Sequence, residues 1–449
     1  MWLARLLRGA ALALAMLGAP AAAETRLSIP EARQFAVQLV QSGQPTAARA
    51  AARALLQHDP DDIVALIVLS RASRDLGDYR TAETAARRAF RLAESDKDRF
   101  SAALAMAQAL ASHGRHSSAQ FWLRRAAEVA PDDRHRMVAV RDFAYVRGRN
   151  PWRAALSFGA FPSSNVNDGP TTNTLIIGGI EFSNPDAVPL SGFGFSTGFD
   201  LSRRWELDPK SQLLLGLSGN VTEYVLSSGA RAAVPSARGS DFGNAGLSAS
   251  LGWARQEGAH QFRVTAEAGR DRQAGAVLSA WQQLRLSYGH SFAADRQLSL
   301  GFSLTDTTRQ DAAIRSSLRS TVEAGWAWGA ADKDRWSLGL SLGKVASDAA
   351  SVARHEAEVR LDWQQARPML GLALSAYASV GIKSYDRPLY IAAAREDVTA
   401  RLGLSAVLVN LDYLGFAPEV GLTVSGTESN ISAMTTRKAE LRLGLKSTF

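Results

Sequence analysis

Cysteine is absent from this chain of 449 residues. Disulfides are therefore excluded, and so is a lipid-modified cysteine after an export signal. Beyond the N-terminal segment there is no uncharged apolar run of about 18 residues, so no transmembrane helix is predicted. The net charge of +8 is mild for this length, and no cluster of basic and aromatic residues is present. Nucleic acid is accordingly not a predicted partner.

The first 23 residues have the composition of a secretory signal peptide. Arg5 and Arg8 form a positive region, residues 9–18 are apolar, and residues 21–23 are small alanines suited to cleavage. The apolar run is too short for a membrane span. We therefore predict a signal peptide at residues 1–23. Export without disulfides is typical of a protein of the bacterial envelope.

Residues 24–150 are rich in alanine and arginine and contain an internal repeat with helical periodicity. Gly43, Gly77 and Gly114 lie 34 and 37 residues apart. Small or apolar residues follow these glycines by five and by twelve positions: Ala48, Ala82 and Ala119, then Leu55, Ala89 and Ala126. Small residues let two helices approach closely, and stacked repeats bury a continuous core. The pattern predicts three helical hairpins and a last helix at residues 133–147; an ordinary helical bundle is the alternative.

Residues 151–449 have a different period. Apolar and polar residues alternate, as in "RHEAEVRLDW", where Ala357, Val359, Leu361 and Trp363 share one face of a predicted strand. The alternation persists for about ten residues in each segment, the length that a tilted strand needs to cross a bilayer. The last segment, "AELRLGLKSTF", has the same pattern and ends on Phe449, an aromatic residue typical of the last strand of an outer-membrane barrel.

Fifteen segments alternate in this way, but a bacterial barrel requires an even number of strands. Assigning residues 174–182 to a long first loop leaves fourteen. The connections then alternate between short turns and longer loops, the longest at 162–190 and 227–240, although the third and fourth loops are short. Tryptophans cluster near the short turns, which predicts an aromatic girdle at the periplasmic interface: Trp152, Trp205, Trp253, Trp326, Trp328, Trp336 and Trp363.

Signals for catalysis and for metal binding are weak. The sequence "GFSTG" at residues 194–198 matches the nucleophile elbow of hydrolases, but it lies in an alternating strand with no helix after it. His113 and His116 flank a glycine without a supporting carboxylate or cysteine cluster. We therefore predict no enzyme activity, no catalytic residue, no cofactor and no metal.

The alternation assigns a mixture of positive and negative side chains to the lumen. A solvated or salt-bridged interior is expected rather than a funnel of one sign. The predicted inward residues are Arg263, Arg285, Arg315, Arg319, Arg335, Arg360, Arg401, Arg442, Lys446, Glu267, Glu323, Glu356, Glu358, Asp362 and Glu440.

The order of these parts resembles the surface lipoprotein assembly modulator family. The helical repeat resembles the tetratricopeptide repeat, and the first barrel segment carries a Ser-Asn-Val-Asn turn at residues 164–167 that is similar to the family's. The resemblance implies an α-helical tetratricopeptide-repeat solenoid followed by a 14-stranded antiparallel transmembrane β-barrel. It also implies an outer-membrane translocon that moves surface lipoproteins or secreted proteins, with the repeats in the periplasm and a periplasmic chaperone as a further partner.

Two sets of residues are candidates for binding a client protein. In tetratricopeptide stacks the first helix of each repeat lines the concave face, which places Arg33, Arg71, Arg74 and Gln108 there. Arginines on such a face can grip carboxylates or backbone carbonyls of an extended chain. Asn165 and Asn167 in the first loop are the second set. A polysaccharide exporter and a passive porin with a scaffold domain are the alternative functions, and the route, through the lumen or through a seam in the wall, stays open.

Overall fold

The computed structural model describes residues 27–177, 180–329, 333–388 and 394–447. The predicted signal peptide and Phe449 lie outside the described residues. The chain divides into two compact units on either side of the Arg147–Gly148 bond, the first helical and the second a barrel. Within the described residues, no helix is both long enough and apolar enough to cross a membrane.

The first unit consists of helical hairpins, in the order that the repeat predicts. Its helices are α1 (Ile29–Gln41), α2 (Pro45–His58), α3 (Ile63–Asp75), α4 (Tyr79–Leu92), α5 (Asp96–Ser112), α6 (His116–Glu128) and α7 (Asp133–Arg149). Helix α3 contacts both α1 and α5, so the first helices of successive hairpins are neighbours.

The repeated glycines end the first helix of each hairpin. Gly43, Gly77 and Gly114 have φ angles of 70°, 78° and 75°, in the left-handed region where a Cβ is strained. The N–H of the residue after each glycine donates to a carbonyl five residues earlier, as Asp78 does to Ser73, which closes the helix end. The spacing of the glycines therefore reports the spacing of the hairpins.

The repeated small residues lie where helices cross. Ala48, Ala82 and Ala119 are each 0% exposed, and so are Ala89 and Ala126. A larger side chain at these positions would separate the two helices of a hairpin, because interiors are packed without spare volume. The predicted packing role of these alanines is confirmed.

The second unit is a closed antiparallel barrel of fourteen strands, as predicted. In chain order these are β1 (Trp152–Ser163), β4 (Gly192–Asp208), β5 (Ser211–Leu226), β6 (Asn244–Glu257), β7 (His260–Gln273), β8 (Ala276–Ala293), β9 (Arg296–Arg309), β10 (Ser317–Trp328), β11 (Arg335–Ser347), β12 (Arg354–Gln364), β13 (Leu372–Pro388), β14 (Ala394–Leu408), β15 (Phe416–Ser429) and β16 (Thr436–Ser447). The segment assigned to the first loop forms a separate hairpin, β2 (Thr174–Ile177) with β3 (Ile180–Ser183).

The connections differ between the two ends of the barrel. One end, the short-turn end, has connections 209–210, 258–259, 294–295, 329–334, 365–371 and 409–415; the other, the long-loop end, has 164–191, 227–243, 274–275, 310–316, 348–353, 389–393 and 430–435. The first two connections of the long-loop end account for most of the difference in length between the two ends. The third is the two-residue turn Ala274–Gly275, with φ angles of 48° and 79°, the geometry that suits the twist of a tight hairpin.

The outer surface of the barrel is apolar and bears aromatic rings at the short-turn end. In β11, for example, Leu338, Leu340 and Leu342 are all exposed on one face. All seven predicted tryptophans lie at the short-turn ends of their strands. Trp336 packs beside Trp328 and Trp363 at ring-centre distances of 6.5 and 6.4 Å. An apolar band with an aromatic girdle is the pattern of a barrel that faces hydrocarbon.

Candidate functional site

The described residues contain no group of three or more metal-ligating side chains. The "GFSTG" segment lies inside β4, as the sequence predicts, and the Ser196 hydroxyl there accepts a hydrogen bond of 3.0 Å from Arg442. Nδ1 of His113 is hydrogen-bonded to Oε1 of Glu83 at 2.9 Å, and Arg115 forms an ion pair with the same carboxylate at 2.7 Å. These contacts hold secondary-structure elements together, and no nucleophile is paired with a histidine among them.

A cavity of about 390 Å³ lies in the helical unit between α3, α5, α6 and α7. Its walls combine apolar and polar groups. The residues that line it are Arg74, Ala107, Gln108, Ala111, Ser112, Leu123, Arg141, Asp142, Tyr145 and Val146. We call it the helical groove. Its volume lies at the lower end of the range for ligand pockets, which are typically lined by apolar groups with a few polar ones.

Two of the predicted binding residues meet in the helical groove. Arg74 donates from Nη1 to Oε1 of Gln108 at 2.8 Å, across a sequence separation of 34 residues. Its Nε and Nη2 donate to Oδ1 of Asp75 at 2.9 and 2.7 Å. The guanidinium is thus held in a fixed orientation on the wall of the groove. A pre-oriented arginine loses little side-chain entropy when it binds a ligand.

Arg33 has a structural partner and does not line the helical groove. Its Nε donates to Oδ2 of Asp62 at 2.7 Å. Asp62 is buried, and its Oδ1 accepts the N–H of Ala65 at 3.0 Å, so it also caps α3. The ion pair joins α1 to the start of α3. The Nε of Arg33 is therefore engaged within the protein, and client binding by Arg33 stays a prediction.

Arg71 is on α3 one turn before Arg74, but its side chain is turned into the protein. Its Nε is buried and has no hydrogen-bond partner among the described residues. Burial, together with the nearby charge of Arg74, lowers the pKa of the Arg71 guanidinium. The guanidinium stays charged at neutral pH because its usual pKa is far above 7.

Asn165 and Asn167 bind the protein's own backbone. Asn165 is 0% exposed; its Nδ2 donates to the carbonyls of Gly169 (2.8 Å) and Arg437 (3.1 Å), and its Oδ1 accepts the N–H of Gly169 at 2.8 Å. Asn167 contacts the end of the same loop, donating to the Val188 carbonyl and accepting from the Leu190 N–H. Asn165 thus fastens the first loop to β16, and Asn167 ties the start of that loop to its end. Client binding by these two residues stays a prediction.

The lumen carries a network of ion pairs between strands that are not adjacent. Arg285 on β8 pairs with Glu323 on β10 at 3.2 Å, and Arg401 on β14 pairs with Glu358 on β12 at 3.0 Å. Side chains that meet across an intervening strand must lie on the concave side of the wall. The predicted mixed interior is therefore present on β8–β14, except that Arg315 is in the 310–316 loop, where it contacts Asp311.

The loop position of Arg315 explains this exception. Residues 313–315 form a short 3-10 helix, and β10 begins at Ser317. The alternation of inward and outward side chains therefore does not extend back to Arg315. Asp311 in the same loop accepts two hydrogen bonds of 2.7 Å from Arg309, which lowers the pKa of that carboxyl to about 2. This salt bridge fixes the loop and does not contribute to the lumen.

No family model and no curated protein matches this chain. Among solved structures, it is similar to a loop-deletion mutant of OmpT, an outer-membrane protein of Vibrio cholerae, with 9% identity, 66% of this chain and 99% of that chain covered, and a TM-score of 0.35. It is also similar to OccAB3 of Acinetobacter baumannii, with 9% identity, 66% of this chain and 99% of that chain covered, and a TM-score of 0.36. A third similar structure is a bacterial polysaccharide outer-membrane secretin, with 8% identity, 65% of this chain and 98% of that chain covered, and a TM-score of 0.33.

Proposed function

We propose that this protein is a translocon of the bacterial outer membrane that moves client proteins to the cell surface. The barrel would span the outer membrane, and the helical unit would recruit the client in the periplasm. The barrel's even strand number, apolar outer band and aromatic girdle support the location. Surface lipoproteins and secreted proteins are the proposed clients, on the resemblance to the surface lipoprotein assembly modulator family.

The helical groove carries the recruiting part of the proposal. It combines an oriented arginine and an amide, Arg74 and Gln108, with the half-apolar surface of Tyr145. Such a lining suits an extended peptide, whose carbonyls and carboxylates accept from the arginine while an apolar side chain packs on the ring. The lumen's alternating charges suit the passage of a polar chain, because no single sign would retain it.

The orientation of the barrel is tested by inserted tags. An epitope placed in the 227–243 loop should be stained on intact cells, whereas one placed in the 365–371 turn should be stained only after permeabilisation. The reason is that outer-membrane barrels keep their long loops outside and their short turns in the periplasm. Staining of the 365–371 tag on intact cells, with the barrel folded, would invert the orientation.

The recruiting role is tested by reversing one charge in the helical groove. Arg74→Glu should lower surface display of an exported protein encoded beside this chain by about 10-fold, the effect of 1.4 kcal/mol on a binding equilibrium. The matched control is Arg80→Glu, the same change at an exposed position of α4 outside the groove. Barrel levels and helical circular dichroism should stay normal for both. Equal display in the two variants would refute a role for the groove.

A further inference from the structure

Two histidines lie side by side on the outer face of the barrel, near the short-turn end. His260 is the first residue of β7, and it is directly opposite His290 of β8. Directly opposite residues of antiparallel strands project from the same face of the sheet. The face here is the one that carries Phe262 and Tyr288, and the two imidazole ring centres are 4.5 Å apart. We call these two residues the histidine pair.

Three polar atoms converge at the histidine pair. Nδ1 of His260 is 3.3 Å from Nδ1 of His290 and 2.9 Å from the hydroxyl oxygen of Tyr288. A ring nitrogen of a neutral imidazole has either one proton or one lone pair. Nδ1 of His260 can therefore satisfy only one of its two neighbours, whichever tautomer it adopts. A cation held between the two nitrogens would use the lone pairs of both.

The distance between the two nitrogens fits a tetrahedral zinc ion. Zn²⁺ binds imidazole nitrogens at about 2.0–2.1 Å, which sets two ligands of a tetrahedron about 3.3–3.4 Å apart. The separation in the histidine pair is 3.3 Å. A square-planar ion such as Cu²⁺ or Ni²⁺ would bring two nitrogens to about 2.8–3.0 Å at similar bond lengths. The geometry therefore favours zinc.

Aromatic rings hold both imidazoles in place. The His290 ring packs edge to face on Phe292 at 4.3 Å, and Phe292 lies against Trp326 at 5.6 Å. The His260 ring stacks beside Tyr288 at 6.0 Å. A side chain that is already ordered loses less conformational entropy when it binds, and an apolar shell around a metal limits the access of solvent. The two ligands are thus oriented before a metal binds.

The histidine pair provides two ligands and leaves the other positions to water. On β6, Glu257 is opposite His260, but its carboxylate forms ion pairs with Lys210 at 3.0 Å and with Arg255 at 3.5 Å. Across the part of the chain that the structure describes, no three histidine, cysteine or carboxylate side chains converge on one point. A site with open positions differs from the closed four-ligand sites of structural zinc. Reversible binding is therefore expected.

We propose that the histidine pair is a zinc-binding site that joins β7 to β8 beside the 258–259 turn. The two nitrogens are close only when these strands are paired, so zinc binds the folded barrel in preference to the unfolded chain. His260 and His290 are 30 residues apart, and the register of the two strands brings them together. This is why periodicity along the sequence predicted no metal. The site goes beyond the proposed function and does not depend on it.

Zinc affinity tests the proposal in the full-length protein, purified in detergent with a tag that contains no histidine. Zn²⁺ is titrated in competition with a zinc-sensitive dye. His290→Gln should lower the affinity by about 10-fold or more, because glutamine keeps a polar side chain but removes a nitrogen ligand. The matched control is His355→Gln on β12, which should leave the affinity unchanged. Equal zinc affinity in His290→Gln and in the unchanged protein would refute the site.

His290→Cys separates coordination from a merely structural role of the histidine. A thiolate is also a zinc ligand, so this variant should recover the binding that His290→Gln loses. The chain has no other cysteine, which makes the thiolate-to-metal absorption of bound Co²⁺ specific for position 290. The unchanged protein should give the strong visible absorption of tetrahedral Co²⁺. Weak absorption typical of six-coordinate Co²⁺, or no thiolate band in His290→Cys, would contradict the proposed coordination.

Stability gives an independent readout. Zinc at about 100 times its dissociation constant should shift the unfolding equilibrium about 100-fold towards the folded barrel. The temperature of barrel unfolding, followed by circular dichroism in detergent, should rise with zinc and fall again with a chelator. His290→Gln should show no such rise, and a rise equal to that of the unchanged protein would overturn the assignment. None of these measurements involves client transport, so failure of the zinc site and failure of the proposed function are separately visible.

Discussion

Asp62→Ala is expected to lower the free energy of unfolding of the helical unit by about 2–4 kcal/mol. Asp62 is 3% exposed, caps α3 through the Ala65 N–H and holds Arg33 at 2.7 Å. Its loss leaves an uncapped helix end and an arginine without its counter-charge. The measurement is urea unfolding followed at 222 nm, with the barrel kept folded in detergent.

The matched control for this effect is Asp75→Ala. Asp75 is also an aspartate at an end of α3 and also contacts an arginine, Arg74, but it is more exposed. Because exposed ion pairs contribute little, its replacement should change stability by less than about 1 kcal/mol. If the two variants unfold at the same urea concentration, Asp62 has no special role. The same reasoning makes charge reversal of Arg33 a test of stability, since it would place a second carboxylate beside Asp62.

Asn165→Ala is expected to destabilise the closure of the barrel by about 3 kcal/mol, because buried backbone groups left without a partner cost about 1–3 kcal/mol each. The substitution removes both bonds to Gly169 and the bond to the Arg437 carbonyl. The temperature at which the folded band disappears from a gel should fall clearly, and amide exchange should accelerate first in β1 and β16.

Asn173→Ala is the control in the same loop. Asn173 is exposed, and its backbone carbonyl makes the hydrogen bond to the Asn184 N–H, which alanine preserves. The temperature at which its folded band disappears from the gel should match that of the unchanged protein. If Asn165→Ala behaves like this control, the first loop does not stabilise the pairing of β1 with β16. Asn165 then stays a candidate for contact with a client.

The fold was predictable because its signals are local. Gly77 and its two counterparts mark helix ends through a backbone angle that glycine adopts without strain. The alternation around Leu338 marks a strand with one apolar face. The first loop was predictable from the even number of strands that closure demands, and the hairpin β2–β3 lies in it.

The roles of the candidate binding residues were less predictable. Helical spacing placed Arg33, Arg71, Arg74 and Gln108 on related faces. Arg74 and Gln108 line the helical groove, and Arg33 and Arg71 do not line it. The partner of Arg33 is 29 residues away, and one partner of Asn165 is 272 residues away. Periodicity gives the face on which a residue lies; it does not give the residue that another element brings against that face.

The sequence by itself determined the helical hairpins, the fourteen strands, the mixed charge of the lumen and the girdle of tryptophans, because each depends on the period of side chains along one element. Tertiary structure decided which internal partners the arginines have, where the helical groove lies, and that the barrel closes by pairing β1 with β16. Those features depend on contacts between elements distant in the chain, whose distances and burial are set when the whole chain packs.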